Sequence, residues 1–148
     1  MNITNKPNPT VVSLFAGCGG SSLGYKQTGY DVRLAVEWDK GAADVYRRNF
    51  PETNIFEGDI ADLTAEEALR VTVLEPGELD VLDGSPPCQG FSMAGRRKFS
   101  DTRNKLFEEY VRMAEVFKPK MLVMENVSGL RKGKMKLIFA EMTKALKD

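Results

Sequence analysis

Five short apolar runs recur along the chain and are separated by segments with helical spacing. The runs predict strands over residues 10–15, 30–38, 53–60, 78–85 and 120–127. The segments between and after them predict helices over residues 21–28, 40–49, 65–73, 104–117 and 132–147. Local signals support three helix ends, because Gly29 follows the first helix, Asp39 can cap the second and Pro119 lies beyond the fourth.

The alternation of strands and helices is typical of an α/β doubly wound fold, in which helices cover both faces of a mostly parallel sheet. We predict the strand order 3-2-1-4-5, because a glycine turn follows the first strand as in dinucleotide-binding sheets. No linker, repeat or low-complexity segment interrupts the pattern, so residues 1–148 are expected to form one domain, or one part of one. Ligands of such sheets bind beyond the carboxyl ends of the strands.

Composition narrows the possible classes of function. Lys plus Arg and Asp plus Glu both number 21, and this zero net charge weighs mildly against a module that grips nucleic acid unaided. Two cysteines do not make a disulfide framework, and the absence of histidine excludes Cys/His metal sites and His-dependent nucleophilic catalysis. No segment suits a signal peptide or a membrane span, so we expect the cytoplasm, where thiols stay reduced.

The first strand runs into the stretch "FAGCGGSSLG", which is rich in glycine. Gly17, Gly19 and Gly20 lie between strand and helix, and Gly24 follows one helical turn later. A glycine turn lets a ligand approach the backbone amides at a helix N-terminus. Glycine turns are common in α/β proteins, so this loop alone indicates a cofactor only weakly.

Three further side chains stand at successive strand ends. Glu37 closes the second strand about twenty residues after the loop, where a carboxylate can accept hydrogen bonds from ribose hydroxyls. Trp38 can stack on an adenine ring or pack in the core. Asp59 can accept from an adenine amino group or be an ordinary turn residue after Gly58. Together they predict an adenosine-bearing cofactor, which can be NAD or S-adenosylmethionine.

The fourth strand leads into "DGSPPCQGFS", where Cys88 follows two prolines that fix the backbone. The cysteine is either a positioned nucleophile or a small buried side chain in a tight turn. Without histidine, its activation has to come from amides, arginines or the substrate. Glu125, at the end of the fifth strand, can protonate or hydrogen-bond a heterocycle if burial raises its pKa. The prolines, the charged loop that follows and this glutamate favour the nucleophile.

Five motifs, "SLFAGCGG", "EWDKGAADVYRRNF", "GDI", "GSPPCQGFS" and "MENV", resemble in order and spacing those of the DNA (cytosine-5) methyltransferases. The resemblance covers about residues 11–146. It implies a Rossmann-like methyltransferase fold and methylation of cytosine carbon 5 in double-stranded DNA. S-adenosylmethionine is then the methyl donor and S-adenosylhomocysteine the product, and restriction-modification is the expected context. A flipped-out cytosine would receive the Cys88 thiol at carbon 6, and Glu125 would contact its ring nitrogen and amino group.

The resemblance also implies roles for the other motif residues. The expected cofactor contacts are Phe15, Gly17, Gly19, Gly20, Glu37, Trp38, Asp59, Ile60 and Pro87. The expected substrate contacts are Gln89, Ser92, Arg96, Arg97 and Asn126, with Asn126 and Pro87 shaping the base pocket. Residues 89–101 would form the mobile loop that closes over the substrate, and the basic stretch 95–105 suits phosphate contact, although such loops are often merely solvated.

Full family members continue into a Q-x-R-x-R segment, a target-recognition domain and a late asparagine motif, which these 148 residues lack. We therefore expect an N-terminal catalytic portion that is inactive alone and needs its missing C-terminal part or a partner chain. Its exposed apolar face can favour self-association. Three alternatives stay open: a non-catalytic or split cofactor-binding module, a tRNA cytosine-5 methyltransferase, and an NAD-dependent oxidoreductase. The "QGFS" stretch favours DNA over tRNA, and the oxidoreductase explains neither Cys88 nor Glu125.

Overall fold

The computed structural model describes residues 7–86, 104–125 and 144. In this part of the chain strands and helices alternate as the apolar pattern predicts. They are β1 (Thr10–Leu14), α1 (Gly20–Gln27), β2 (Asp31–Glu37), α2 (Lys40–Asn49), β3 (Asn54–Glu57), a 3-10 helix (Ile60–Asp62), α3 (Ala65–Thr72), β4 (Val81–Gly84), α4 (Asn104–Phe117) and β5 (Met121–Met124). The bounds of α2 and α4 are those predicted from the sequence.

All four strand pairs of the sheet are parallel, and the order is β3-β2-β1-β4-β5. This confirms the predicted order 3-2-1-4-5 and the doubly wound fold. β1 lies in the middle, where Leu14 pairs with Val36 of β2 on one side and with Gly84 of β4 on the other. The chain builds β2 and β3 on one side of β1 and then returns past β1 to place β4 and β5 on the other, and such a reversal opens a crevice at the carboxyl ends.

Side chains of successive strand residues point to opposite faces, and both faces are covered. Val12 and Leu14 of β1 belong to a buried cluster with α3 and with Tyr110 and Phe117 of α4. On the other face, Val11 packs in a smaller cluster with Tyr25 of α1, and β2 packs against α2. α1 and α2 therefore cover one face, and α3 and α4 cover the other.

The structure corrects two of the predicted strands and leaves one element untested. The strand predicted over residues 53–60 ends at Glu57, because Asp59 caps a 3-10 helix by accepting from the amide of Ala61 at 3.0 Å. The strand predicted over residues 78–85 begins only at Val81, since Glu78 lies in a turn and accepts from the Glu75 amide. The predicted last helix lies outside the described residues except for Lys144. Among the residues described, no helix has the length and apolar character needed to cross a membrane.

Candidate active site

The loop between β1 and α1 has an unusual backbone. Phe15 has a φ of +56°, a conformation that costs a residue with a side chain about 1–2 kcal/mol, and Gly17 and Gly19 follow with +55° and +95°. Such strain is often found at functional sites. A Cβ added at Gly17 or Gly20 would meet no atom of the described residues within 4 Å, so these residues leave open space beside the loop at the start of α1. The loop fits the close approach of a ligand to the backbone.

Glu37 holds this loop in place. Its side chain is buried, and the Oε2 atom accepts from the amide of Gly17 at 2.7 Å while Oε1 accepts from the amide of Asp39 at 2.8 Å. Each carboxylate oxygen keeps a further lone pair that can accept another donor. Glu37 is predicted to bind ribose, and it also has a structural role that the sequence did not indicate, which is to anchor the glycine loop.

Backbone hydrogen bonds bring the ends of β1, β2 and β3 together. The Ala16 amide donates to the Val36 carbonyl at 3.0 Å, and the Gly58 amide donates to the Glu37 carbonyl at 3.0 Å. Trp38 is 80% exposed, which excludes the core-packing alternative and leaves its ring free to stack. The residues predicted to hold an adenosine group are thus neighbours at one edge of the sheet.

The two residues at the end of β3 differ in what they can offer a ligand. Asp59 is exposed, and Oδ1 already accepts from the Ala61 amide, so Oδ2 and the remaining lone pairs are its binding capacity. Ile60 is only 3% exposed and belongs to the core. Its side chain therefore anchors the turn, and only its backbone can serve the predicted cofactor contact.

The other half of the predicted site follows β4 and β5. Glu125 comes directly after β5 and is exposed, so the burial on which its predicted role as a proton donor depends is not seen among the described residues. The physical reason is that β5 is an outer strand of the described sheet. The remaining predicted residues lie outside the described part of the chain, and their roles stay predictions: Pro87, Cys88, Gln89, Ser92, Arg96, Arg97 and Asn126.

Asp83 is a buried carboxyl group that sequence reasoning missed. It lies on β4, is 7% exposed, and accepts from the Ser13 hydroxyl of β1 at 3.4 Å. Burial raises its pKa, and hydrogen bonds from Ser21, Ser13 and Tyr25 act in the opposite direction. The group connects β1 and α1, which flank the glycine loop, to the strand that leads into the cysteine motif. The sequence shows only a strand residue before Gly84, because the network is tertiary.

We expect Asp83→Asn to gain stability over the wild type as the pH rises. The folded state retains a proton that the unfolded chain releases near the ordinary pKa of 3.8, so wild-type stability is lost as pH rises through the raised pKa. Burial and the Asp83 charge raise the pKa of Tyr25 to about 12, so this tyrosine stays neutral throughout. Asparagine does not titrate and keeps an acceptor oxygen.

Urea unfolding of both chains between about pH 4 and about pH 8 measures this difference. Asp62→Asn is the matched control, because Asp62 is exposed. A stability difference between Asp83→Asn and wild type that stays constant across this range contradicts the interpretation.

Comparison with known proteins identifies the family to which the chain belongs. A family model described as C-5 cytosine-specific DNA methylase matches residues 9–148. The chain belongs to the C-5 cytosine-specific DNA methylase family. This confirms the resemblance seen in the five motifs, and it removes the NAD-dependent oxidoreductase from the alternatives.

Type II methyltransferases from bacteria are similar to this methylase chain. M.XorII of Xanthomonas oryzae pv. oryzae is 38% identical over 140 residues, which are 95% of this chain and 33% of that protein. M.AquIA of Picosynechococcus sp. is 39% identical over 137 residues, covering 91% of this chain and 55% of that protein. M1.HphI of Haemophilus parahaemolyticus is 44% identical over 124 residues, which are 82% of this chain and 33% of that protein. The chain therefore spans between a third and just over half of the length of these relatives.

Solved structures confirm the methyltransferase fold. A protein assigned as a DNA modification methyltransferase encoded within an E. coli prophage has a TM-score of 0.78 and 33% identity, over 95% of this chain and 38% of that chain. The DNMT2 E260A/E261A/K263A mutant of Spodoptera frugiperda has a TM-score of 0.68 and 26% identity, over 94% of this chain and 41% of that chain. Both similarities extend over nearly the whole methylase chain.

Proposed function

We propose that this methylase chain is the cofactor-binding and nucleophile-bearing part of an enzyme that methylates carbon 5 of cytosine in DNA. The observation that carries the proposal is the contact between the ends of β1 and β2, where the Glu37 carboxylate accepts from the Gly17 amide. The described residues leave open space beside this glycine loop. The family match supports the reaction, and the Type II methyltransferase relatives support DNA as the substrate and restriction-modification as the context.

The described residues fit S-adenosylmethionine, which supplies the methyl group. The open space at Gly17 and Gly20 admits a ligand to the loop backbone. Glu37 retains lone pairs for ribose hydroxyls, and the exposed Trp38 ring offers a stacking surface for adenine. Asp59 can accept from the adenine amino group through the oxygen that does not cap the turn. S-adenosylhomocysteine is then the product released from the same residues.

For the chemical step we propose Cys88 as the nucleophile and Glu125 as its partner at the base. The cysteine thiolate forms a bond to carbon 6 of a flipped cytosine, and the electron pair of the 5,6 double bond moves toward carbon 5. Glu125 contacts the ring nitrogen and the amino group, and this contact favours the attack by stabilising the charge displaced onto the ring. Carbon 5 uses this electron pair to bond the methyl group that S-adenosylmethionine would supply. Loss of the carbon 5 proton to a base then restores the double bond and expels the thiolate.

Residues of the cysteine loop are proposed to hold the DNA. Gln89, Ser92 and Asn126 would contact the base and its surroundings, and Arg96 and Arg97 would contact phosphates. Because the chain spans only a part of its relatives, we propose that recognition of the DNA sequence and efficient turnover require the remaining part of the enzyme. We expect these residues alone to methylate DNA poorly.

We expect Glu37→Ala to weaken S-adenosylhomocysteine binding by about tenfold or more, because a charge-assisted hydrogen bond is typically worth roughly 1.5–3 kcal/mol. The substitution also releases the amides of Gly17 and Asp39, so the loop loses its anchor. Glu37→Gln is the matched variant, since it loses the charge and keeps one acceptor oxygen for one of the two amides, while its NH2 group cannot accept from the other. We expect it to fall between the wild type and Glu37→Ala.

Calorimetric titration of the wild-type chain with S-adenosylhomocysteine and with NAD tests the proposed function itself. We expect one site for S-adenosylhomocysteine and no measurable heat from NAD. Equal or tighter binding of NAD contradicts the proposal, and unchanged affinity in Glu37→Ala removes Glu37 from the cofactor site.

A further inference from the structure

Arg112 of α4 contacts the 3-10 turn that follows β3. Its Nη2 atom donates to the Ile60 carbonyl at 2.8 Å, and Nη1 donates to the Leu63 carbonyl at 3.1 Å. Both carbonyls belong to the 3-10 helix Ile60–Asp62 and its C-cap Leu63. The residue itself lies on α4, 49 positions beyond Leu63 in sequence.

The guanidinium group is held in this position by a neighbour on the same helix. Its Nε atom donates to Oε2 of Glu109 at 2.6 Å, and Arg112 is 33% exposed at its side chain. A planar guanidinium group that is already paired with a carboxylate loses less conformational entropy when it donates to two further acceptors. Arg112 is thus a fixed clamp rather than a solvated charge.

A 3-10 turn of three residues is weak by itself and leaves carbonyls without partners at its C-terminal end. In this turn Arg112 donates to the C-cap carbonyl of Leu63, and it gives the Ile60 carbonyl a second donor beside the Leu63 amide at 3.2 Å. Ile60 and Leu63 are buried at 3% and 1% exposure. At the other end of the turn, Asp59 accepts from the Ala61 amide at 3.0 Å. The orientation of the Asp59 carboxylate therefore depends on the turn that Arg112 holds.

We propose that Arg112 is a positioning residue for the cofactor site, which sets the Asp59 carboxylate toward the adenine group without touching the cofactor. The inference rests on the proposed function, because Asp59 matters only if an adenosine group is bound. The inference gives α4 a function in cofactor binding. This helix follows the cysteine motif in the chain.

The experiment measures S-adenosylhomocysteine affinity by calorimetry for the wild-type chain, Arg112→Met, Asp59→Ala and the double variant. Methionine keeps an apolar stem and removes every donor. We expect Arg112→Met to weaken binding about fivefold in the wild-type background, as the loss of one well-placed hydrogen bond does. In the Asp59→Ala background we expect less than about a twofold further loss, since residues that act through one another are not additive.

Arg70→Met is the matched control, because Arg70 is an exposed arginine of α3, and it should bind like the wild type. If Arg112→Met does not fold, Arg112→Lys replaces it in the same cycle. A single ammonium group cannot reproduce the planar fork, and we expect about a threefold loss that again disappears in Asp59→Ala.

The outcomes separate the inference from the proposed function. A wild-type chain that binds no S-adenosylhomocysteine overturns the proposed function, and the inference fails with it. Wild-type binding with an unchanged Arg112 variant, or an equal loss in both backgrounds, overturns the inference alone, because a merely structural arginine lowers affinity whether or not Asp59 is present.

Discussion

Replacing Gly19 by alanine is expected to destabilise the chain by about 3 kcal/mol or more and to abolish cofactor binding. The residue has a φ of +95°, and a Cβ there would lie 2.3 Å from Cε2 of Phe50 and 3.0 Å from Cδ2 of Tyr46. Both rings belong to a buried cluster between β2 and α2, so neither can move away cheaply. Left-handed backbone strain adds about 1–2 kcal/mol to this overpacking.

Gly20→Ala is the control one residue later. A Cβ at Gly20 would meet no atom of the part of the chain that the structure describes within 4 Å, and the residue is the first of α1. We therefore expect the free energy of unfolding to be unchanged or to rise by up to about 1 kcal/mol. The methyl group would nevertheless enter the space that we assign to the cofactor and weaken S-adenosylhomocysteine binding. Urea unfolding and calorimetry on both variants separate the two effects, and equal stability of Gly19→Ala and wild type contradicts the packing argument.

The fold could be predicted from the sequence because its main signals are local. Alternating apolar runs and helical segments indicate a parallel sheet, and the glycine turn after the first run indicates the centre of the sheet. The start of α2 follows from Asp39, whose side chain accepts from the Ala42 amide at 2.8 Å and caps the helix. At the end of β3 the same reasoning failed, since an apolar pattern does not distinguish the last strand residues from a capped turn.

The contacts that organise the site could not be predicted, because they join residues far apart in sequence. Arg112 has the pattern of an ordinary charged residue on an amphipathic helix, and only the folded chain brings it to Ile60. Asp83 follows an apolar run and reads as part of a strand, yet it accepts from Ser13, 70 residues away. Glu37 was found by its spacing from the glycine loop, but its bond to Gly17 required the structure.

Cys88→Ser is expected to remove covalent capture of DNA and to lower methylation by at least about 10³-fold, because a serine hydroxyl is far less ionised than a thiol and a poorer nucleophile. Cofactor affinity should stay within about twofold of the wild type, since all proposed cofactor residues except Pro87 follow β1, β2 and β3, and the substitution leaves Pro87 in place. Cys18→Ser is the matched control. Cys18 is the other cysteine, lies exposed in the glycine loop, and has no role in the proposed attack.

The central claim is that Cys88 attacks cytosine, and one measurement tests it most directly. The chain, supplied with the remaining part of the enzyme, is incubated with S-adenosylmethionine and DNA that carries 5-fluorocytosine. Fluorine at carbon 5 cannot leave as a proton does, so the thioether persists and can be located by mass spectrometry of tryptic peptides. We predict an adduct on Cys88 that persists in Cys18→Ser and is absent in Cys88→Ser. An adduct on Cys18, an adduct that survives Cys88→Ser, or methylation of ordinary DNA with no adduct on the fluorinated DNA would contradict the account.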